Sequence, residues 1–351
     1  MKRPSLAPLS EQVMVITGAS SGIGLCTARA AARAGARVVL GARSADVLER
    51  IVDEIDAEGG DAVAVEVDVS DLPAVERLAT RAIERYGRID TWVNNAGVSI
   101  YGELLETPIE DHRRLFETNY WGVVHGSIVA ARHIERGAIV NVGSVAGERA
   151  IPLQGAYSAS KHAVKGFTEA LRMELEHAGV PISVTLVKPS SIATPYHEHA
   201  RALTEHEPRN APPVYAPELV ANAILRAATE PVRDVSVGGA GRALTAFSAV
   251  APRLADRFLE GTLFRMQQTA TPVGPDGDGN GRREGTPPPA QPVRARRDNL
   301  FEPTDDARER GHYAERVFER SATDRAAEHP LRTLLVGAVL VAGVALLVRS
   351  L

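Results

Sequence analysis

From residue 13 onward the chain alternates two kinds of segment, and this alternation restricts its folds more than any other feature. Short β-branched runs stand at residues 13–17, 37–40, 62–67, 91–93, 138–142 and 182–187. Between them, residues 25–34, 45–58, 74–86 and 156–177 carry Ala, Leu, Glu and Arg at helical spacing. Strands that read as continuous apolar runs are buried on both faces, and helices of this length between them form βαβ units. The expectation is a single α/β domain over residues 10–240, built on a doubly wound parallel sheet with helices on both faces. No internal repeat interrupts the pattern.

Composition narrows the partners. The 351 residues carry a formal net charge of -4 and are 24% charged, so no electrostatic argument favours nucleic acid. A single cysteine, Cys26, leaves no internal disulfide to form. Residues 1–11 are polar and contain no apolar stretch of the kind a secretory signal needs, so no signal peptide is expected.

The chemistry begins where the first run ends. Thr17-Gly18-Ala19-Ser20-Ser21-Gly22-Ile23-Gly24 stands between the first strand and the first helix. Glycines there permit a tight turn and bring a pyrophosphate close to backbone N–H groups at a helix N-terminus. Glycine-rich turns also serve packing alone, but a strand before, a helix after and a second strand about 20 residues on give the binding context. Further along, Tyr157 and Lys161 are one helical turn apart and share a face. A tyrosine with its ordinary pKa near 10 exchanges protons poorly at neutral pH, and a close ammonium should lower that value. The chain has only four Lys against 36 Arg, yet Lys occupies this position. Its compact ammonium suits a ribose hydroxyl as well as a phenolate. Alone, the Tyr–Lys pair would read as a surface helix pair.

The glycine spacing, Asp68-Val69, Asn94-Asn95-Ala96-Gly97, Asn119, Ser144 and Tyr157-Ser158-Ala159-Ser160-Lys161 occur in order. Together they make residues 10–240 resemble the short-chain dehydrogenase/reductase family. The resemblance implies a Rossmann-like fold and a catalytic set of Asn119, Ser144, Tyr157 and Lys161. In it Tyr157 is the general acid or base, Ser144 holds the carbonyl oxygen, and Asn119 supports a water leading protons to Lys161. It also implies cofactor contacts from Gly18, Ser20, Ser21, Gly22, Ile23, Gly24, Asp68, Val69, Asn95, Ala96, Gly97, Tyr157, Lys161, Pro189, Ile192 and Thr194. Asp68 and Val69 would flank the adenine. One departure is Pro189-Ser190, where the family usually has Pro-Gly.

Cofactor choice is read at the end of the second strand. An acidic residue there would bind ribose hydroxyls and repel a 2′-phosphate. Ala42-Arg43-Ser44 has none, and Arg43 offers a charge-assisted pair to the phosphate, which points to NADP(H) over NAD(H). The bland alternative is a solvated Arg43. Residues 99–101, the segment after Ser144, Gln154 and the loop 192–213 should line the substrate pocket. His197, His199 and His206 in that loop lack a third well-placed ligand, so they are read as loop surface and no metal is expected.

Beyond residue 240 the pattern changes. Residues 244–266 place Leu244, Phe247, Val250, Leu254, Phe258 and Leu259 at helical spacing, interrupted by Pro252, so an amphipathic helical extension is expected over 241–270. Eleven of the 21 residues from Pro272 to Pro292 are Pro or Gly, which predicts a disordered linker over 271–297. A charged segment follows over 298–330, partly helical at most. In residues 331–348 only Arg332 and Thr333 are polar. Eighteen helical residues span about 27 Å against a hydrocarbon core of about 30 Å, so 331–349 reads as a tail helix in membrane lipid. Arg316, Arg320, Arg325 and Arg332 before it put the catalytic domain on the cytoplasmic side. The alternative is a helix docked on protein, with the domain cytoplasmic.

The combined expectation is a membrane-tethered, NADP(H)-dependent enzyme for a hydrophobic carbonyl or alcohol. The family resemblance adds a homo-oligomer paired through the helices of Asn119 and Tyr157. The competing reading is a catalytically idle nucleotide-binding scaffold or redox-responsive regulator.

Overall fold

The β-branched runs become strands of one sheet. The computed structural model describes residues 4–272, 297–312 and 316–321. Its main strands are β1 (Val13–Thr17), β2 (Arg37–Ala42), β3 (Asp61–Glu66), β4 (Thr91–Asn94), β5 (Gly137–Val142), β6 (Ile182–Pro189) and β7 (Asp234–Val237). They lie in the order β7-β6-β5-β4-β1-β2-β3, and every neighbouring pair is parallel. The chain starts mid-sheet, winds outward through β2 and β3, then returns beside β1 with β4 and winds the other way. Where the winding reverses, the connections leave β1 and β4 in opposite directions and open a crevice at the carboxyl ends of the strands.

The layers follow from the two-residue period of the strands. Met14, Ile16, Val38, Leu40, Val93 and Val140 pack towards α1 (Gly22–Arg33), α2 (Ala45–Ala57) and α7 (Pro217–Thr229). Val13, Val15, Val39, Trp92 and Ile139 point the other way, towards α3 (Leu72–Tyr86) and α5 (Gly122–His133). Both faces of the strands are covered, which is why the sequence shows unbroken apolar runs rather than alternation. The helices contribute single stripes: α2 buries Val47, Leu48, Ile51 and Ile55 and leaves its charged residues outside. Two helices flank the crevice. They are α4 (Ile109–Phe116), which runs on into α5, and the long α6 (Gly155–His177). The seventh strand carries only two apolar residues in Asp-Val-Ser-Val and lies at the sheet edge, so no run announced it.

After β7 the expected extension is helical: α8 (Gly239–Val250) and α9 (Pro252–Phe258), with Pro252 in the first turn of α9. Leu259 and Ala255 are buried, whereas Phe247, Val250, Leu254 and Phe258 stay exposed.

The charged segment differs from expectation. Residues 298–312 do not stand apart from the domain and contain no helix; after a turn at 299–301 they run across the crevice. Leu300 is fully buried among Val98, Ile100, Leu115 and Ala156. Ion pairs fix the remainder: Glu309 with Arg29 at 2.8 Å, Arg308 with Glu198 at 2.9 Å, and Arg310 with Glu218 at 2.8 Å. The buried Leu300, the partly buried Ala307 and matched charges on the domain suffice to seat a segment whose composition alone looks solvated. Val317–Phe318 then pairs in parallel with Val214–Tyr215. The expected linker, apart from its end residues, and the expected tail helix over 331–349 lie outside the described residues. Among the described residues no helix is long and apolar enough to cross a membrane.

Candidate active site

The turn after β1 is shaped by two glycines. Gly18 has φ +64°, and a Cβ there would sit 2.7 Å from Ala96 Cα. A Cβ on Gly24 would meet Gly18 O at 2.1 Å. Only hydrogen fits at either position. The turn is tied to the end of β4: the Asn95 amide donates to Thr17 O at 3.0 Å and Gly18 O at 3.2 Å. Thr17 Oγ1 in turn accepts from the N–H groups of Asn95 and Ala96 at 3.0 and 3.2 Å. The two sides of the winding reversal are thus one unit. Ser20, Ser21, Gly22 and Ile23 line the cleft at the N-terminus of α1, where the helix dipole suits an anion, although Gly22 N itself donates to Arg308 O at 2.8 Å.

Arg43, Asp68 and Val69 line the next part of the cleft. Asp68 accepts from Ser70 N and Oγ at 3.0 and 2.7 Å and pairs with Arg114 at 2.6 Å. Burial works against its charge, but these partners outweigh it and hold the carboxyl below its ordinary range. Arg43 differs from the sequence expectation of an open phosphate partner. Its guanidinium donates to the carbonyls of Asn299, Phe301 and Glu302 at 2.5, 3.0 and 3.4 Å. The segment seated by Leu300 supplies all three acceptors.

At the other end of the cleft stand the four residues that the sequence grouped. Ser144 follows β5, and its Oγ accepts from Ala146 N at 3.0 Å. Tyr157 and Lys161 come from the first turns of α6. Asn119 sits where α4 passes into α5 through a π turn at Glu117–Trp121. Its fully buried amide accepts from Val98 N at 2.8 Å and donates to Val98 O and Ser160 Oγ at 2.9 and 3.1 Å. A π turn inside a long helix commonly marks such a site. A Cβ on Gly97 would lie 3.4 Å from Asn119 Oδ1 and 3.8 Å from Lys161 Nζ, so both side chains approach the backbone after β4.

Lys161 Nζ donates to Val142 O at 2.9 Å and lies 5.6 Å from the centroid of the Tyr157 ring. Burial lowers its pKa to about 8. The expected lowering of Tyr157 is not what the protein shows. Burial pushes the phenol above its ordinary value and outweighs hydrogen bonds with Ser144 and Tyr196 that pull it down. The ammonium gives its hydrogen bond to Val142 O.

Tyr196 escaped the sequence reading. It stands in the one-turn helix Tyr196–His199, its ring edge-to-face with Tyr157 at 5.5 Å between centroids. Its hydroxyl donates to Gln154 Oε1 at 3.3 Å. It is the only Phe, Tyr or Trp in the loop 192–213, and that was the available signal. His197 and His199, read as loop surface, are buried. His199 Nε2 faces Asp306 Oδ1 at 2.9 Å, so the segment from beyond residue 297 covers what the loop alone would expose. Pro189, Ser190, Ile192 and Thr194 line the cleft. The unusual Ser190 is accommodated by glycines opposite: a Cβ on Gly238 would meet its Cβ at 2.8 Å, and one on Gly241 its Oγ at 3.1 Å. Among the described residues, one group has metal-ligand proximity, Cys26, Glu218 and Glu309, none of which lines the cleft. Both carboxylates there already pair with arginines.

Ser144, Tyr157 and Lys161 line one end of a cleft of about 330 Å³ that begins at Gly18 in the glycine turn, whereas Asn119 is fully buried and does not line it. A sequence-family model described as short chain dehydrogenase matches residues 12–204. An uncharacterized oxidoreductase, YxnA of Bacillus subtilis (strain 168), is 45% identical over 275 residues, 77% of each chain. A short-chain dehydrogenase/reductase from Burkholderia phymatum, solved in complex with NAD, is 30% identical with a TM-score of 0.65, covering 71% of this chain and 96% of its own. An alcohol dehydrogenase from Thermococcus sibiricus, complexed with 5-hydroxy-NADP, has a TM-score of 0.57 at 29% identity, over 64% and 94% of the two chains.

Proposed function

The chain belongs to the short-chain dehydrogenase/reductase family, oxidoreductases acting on CH–OH groups, and on that premise we propose that it interconverts a carbonyl and a secondary alcohol with NADP(H) on a hydrophobic small molecule. The observation that carries the reading is the convergence of Ser144, Tyr157 and Lys161 at one end of a cleft whose other end is the glycine turn.

The cleft fits a nicotinamide dinucleotide. The space that Gly18 and Gly24 leave unfilled and the N-terminus of α1 suit the pyrophosphate. Asp68 and Val69 would hold the adenine, Asn95, Ala96 and Gly97 the nicotinamide ribose, and Pro189, Ile192 and Thr194 the nicotinamide side. When bound, the nicotinamide supplies or accepts the hydride. Tyr157 gives a proton to the carbonyl oxygen in reduction and takes one from the alcohol in oxidation. Ser144, hydrogen-bonded to Tyr157, holds that same oxygen. Lys161, with its pKa near 8, exchanges protons close to neutral pH. Asn119 acts through what it clamps, keeping Val98 and Ser160 in place around Lys161.

NADP(H) is favoured over NAD(H) because β2 ends without a carboxylate to repel a 2′-phosphate. Arg43 has N–H groups beyond the three bonds it spends on carbonyls. An apolar substrate is supported by Tyr101, Leu244 and Leu263 along the catalytic end of the cleft. The exposed Phe247, Val250, Leu254 and Phe258 continue from Leu244 along α8 and α9. Such a face supports apposition to a membrane, with residues 331–349 as the tether and the catalytic domain on the cytoplasmic side. Exposed Trp121, Ile128 and Met173 beside α5 and on α6 support pairing of two copies through those helices. The test is a screen of hydrophobic ketones and aldehydes with NADPH and with NADH, alongside liposome co-sedimentation of the full chain. NADPH-selective turnover and pelleting are expected; NADH-selective turnover or protein that never pellets would refute those parts.

A further inference from the structure

We propose that residues 298–312 form a strap that closes over the adenosine half of the bound dinucleotide and retains it in the cleft. The proposal rests on the cleft being the dinucleotide site.

The strap is fastened to both rims. On the adenosine side, Arg114 Nε donates to Leu300 O at 3.0 Å, Ser44 Oγ to Thr304 O at 2.8 Å and Arg50 to Asp305 O at 3.2 Å, in addition to the bonds from Arg43. On the opposite side, Asn299 N donates to His199 O at 2.8 Å and Gly311 N to Ala193 O at 3.2 Å. Gly22 N, at the start of α1, donates to Arg308 O at 2.8 Å. The chain therefore bridges the crevice from the end of β2 to the loop that carries Tyr196.

It bridges without filling. The cleft beneath retains its about 330 Å³, with Asn299, Pro303 and Thr304 as its outer wall. Arg43 is part of the same construction, because three strap carbonyls hold its guanidinium against the cleft. Since the described contacts span both rims, the dinucleotide leaves only when the strap lifts. The strap buries one apolar side chain fully, Leu300, packs Ala307 partly against the core, and is otherwise held by polar contacts, so it can open without disturbing the sheet. Cofactor exchange is then limited by strap opening.

The test uses the full chain with Leu300→Asp, which unseats the anchor. NADPH and NADH are bound, then displaced with excess oxidised cofactor while their fluorescence is followed in stopped flow. Leu300→Asp is expected to speed release of both cofactors by at least about tenfold and to weaken binding. Release and affinity unchanged in Leu300→Asp would overturn the strap while leaving the cleft as the nucleotide site. Tighter, faster binding would also overturn it, by making the segment a plug. Failure of the wild type to bind either cofactor would overturn the reading of the cleft itself, and the strap with it. Should Leu300→Asp not fold, amide exchange of the wild type decides. Slower exchange at Asn299 and Gly311 on adding NADPH supports retention, and unchanged or faster exchange refutes it.

Discussion

Replacing Lys161 by Met should make the nucleotide-free protein more stable at neutral pH. Lys161 is 4% exposed, and burial alone brings its pKa from 10.5 to about 8. That difference corresponds to about 3 kcal/mol of cost for holding the ammonium inside the folded protein. Its one hydrogen bond, to Val142 O, returns about 1 kcal/mol, so an apolar side chain of similar length should gain about 2 kcal/mol. The sign with pH follows from proton counting. The unfolded lysine keeps its proton up to about pH 10.5, whereas the folded one loses it above about pH 8. Between these values the unfolded chain binds more protons, so wild-type stability gains on the variant as pH rises. Urea unfolding of both proteins at pH 7 and pH 10 should show an advantage for Lys161→Met at pH 7 that shrinks or reverses at pH 10. A variant less stable than wild type at pH 7, or a difference that does not change with pH, would refute the reasoning. The same variant should lose turnover, as expected where a functional group is kept at a cost in stability.

Other outcomes follow from single contacts. Gly24→Ala places a methyl group 2.1 Å from Gly18 O, so nucleotide binding measured by NADPH fluorescence should be lost; wild-type affinity would show the glycine turn is not the phosphate site. Burial, with Glu309 and Glu218 nearby, pushes the Cys26 thiol up to about 12, so it should resist a disulfide reagent at pH 8 and react once urea is added. At Asp306, burial is opposed and exceeded by His199 and Arg308, which hold the carboxyl at about 2. Its contribution is present above the ordinary carboxylate range near 4 and is lost as pH falls through about 2. Amide exchange across 298–312 should therefore rise between pH 4 and 2 in the wild type, and Asp306→Asn should show that looser strap already at pH 7.

The sheet was legible because its strands are covered on both faces and so appear as unbroken runs. β7 was missed for the complementary reason: at the edge, Asp234 and Ser236 need no apolar cover. The candidate catalytic residues were legible because their chemistry demands fixed residue types at fixed spacing, Tyr157 and Lys161 on one helical face above all. Their energetics were not legible. The sequence suggested that an ammonium would lower the phenol, but burial acts on both groups and depends on what the fold packs around them. The strap was the least readable part. Leu300 is one of few apolar residues in a polar stretch, and its meaning lies in the pocket of Val98, Ile100, Leu115 and Ala156, all of them 144 or more residues distant. His199 and Arg43 were misjudged with it, since each is covered by a segment roughly 100 or more residues further along.

The central claim is that Tyr157 moves the proton at the carbonyl oxygen of a substrate held in this cleft. Its most direct measurement is carbonyl-dependent loss of reduced-cofactor absorbance by wild type and by Tyr157→Phe, with cofactor affinity measured on both. The account predicts turnover by the wild type, a loss of about 10²–10⁴-fold in the variant, and equal cofactor affinity in the two. Equal turnover by the variant, or a wild type that binds cofactor tightly yet reduces no carbonyl in the panel, would contradict it.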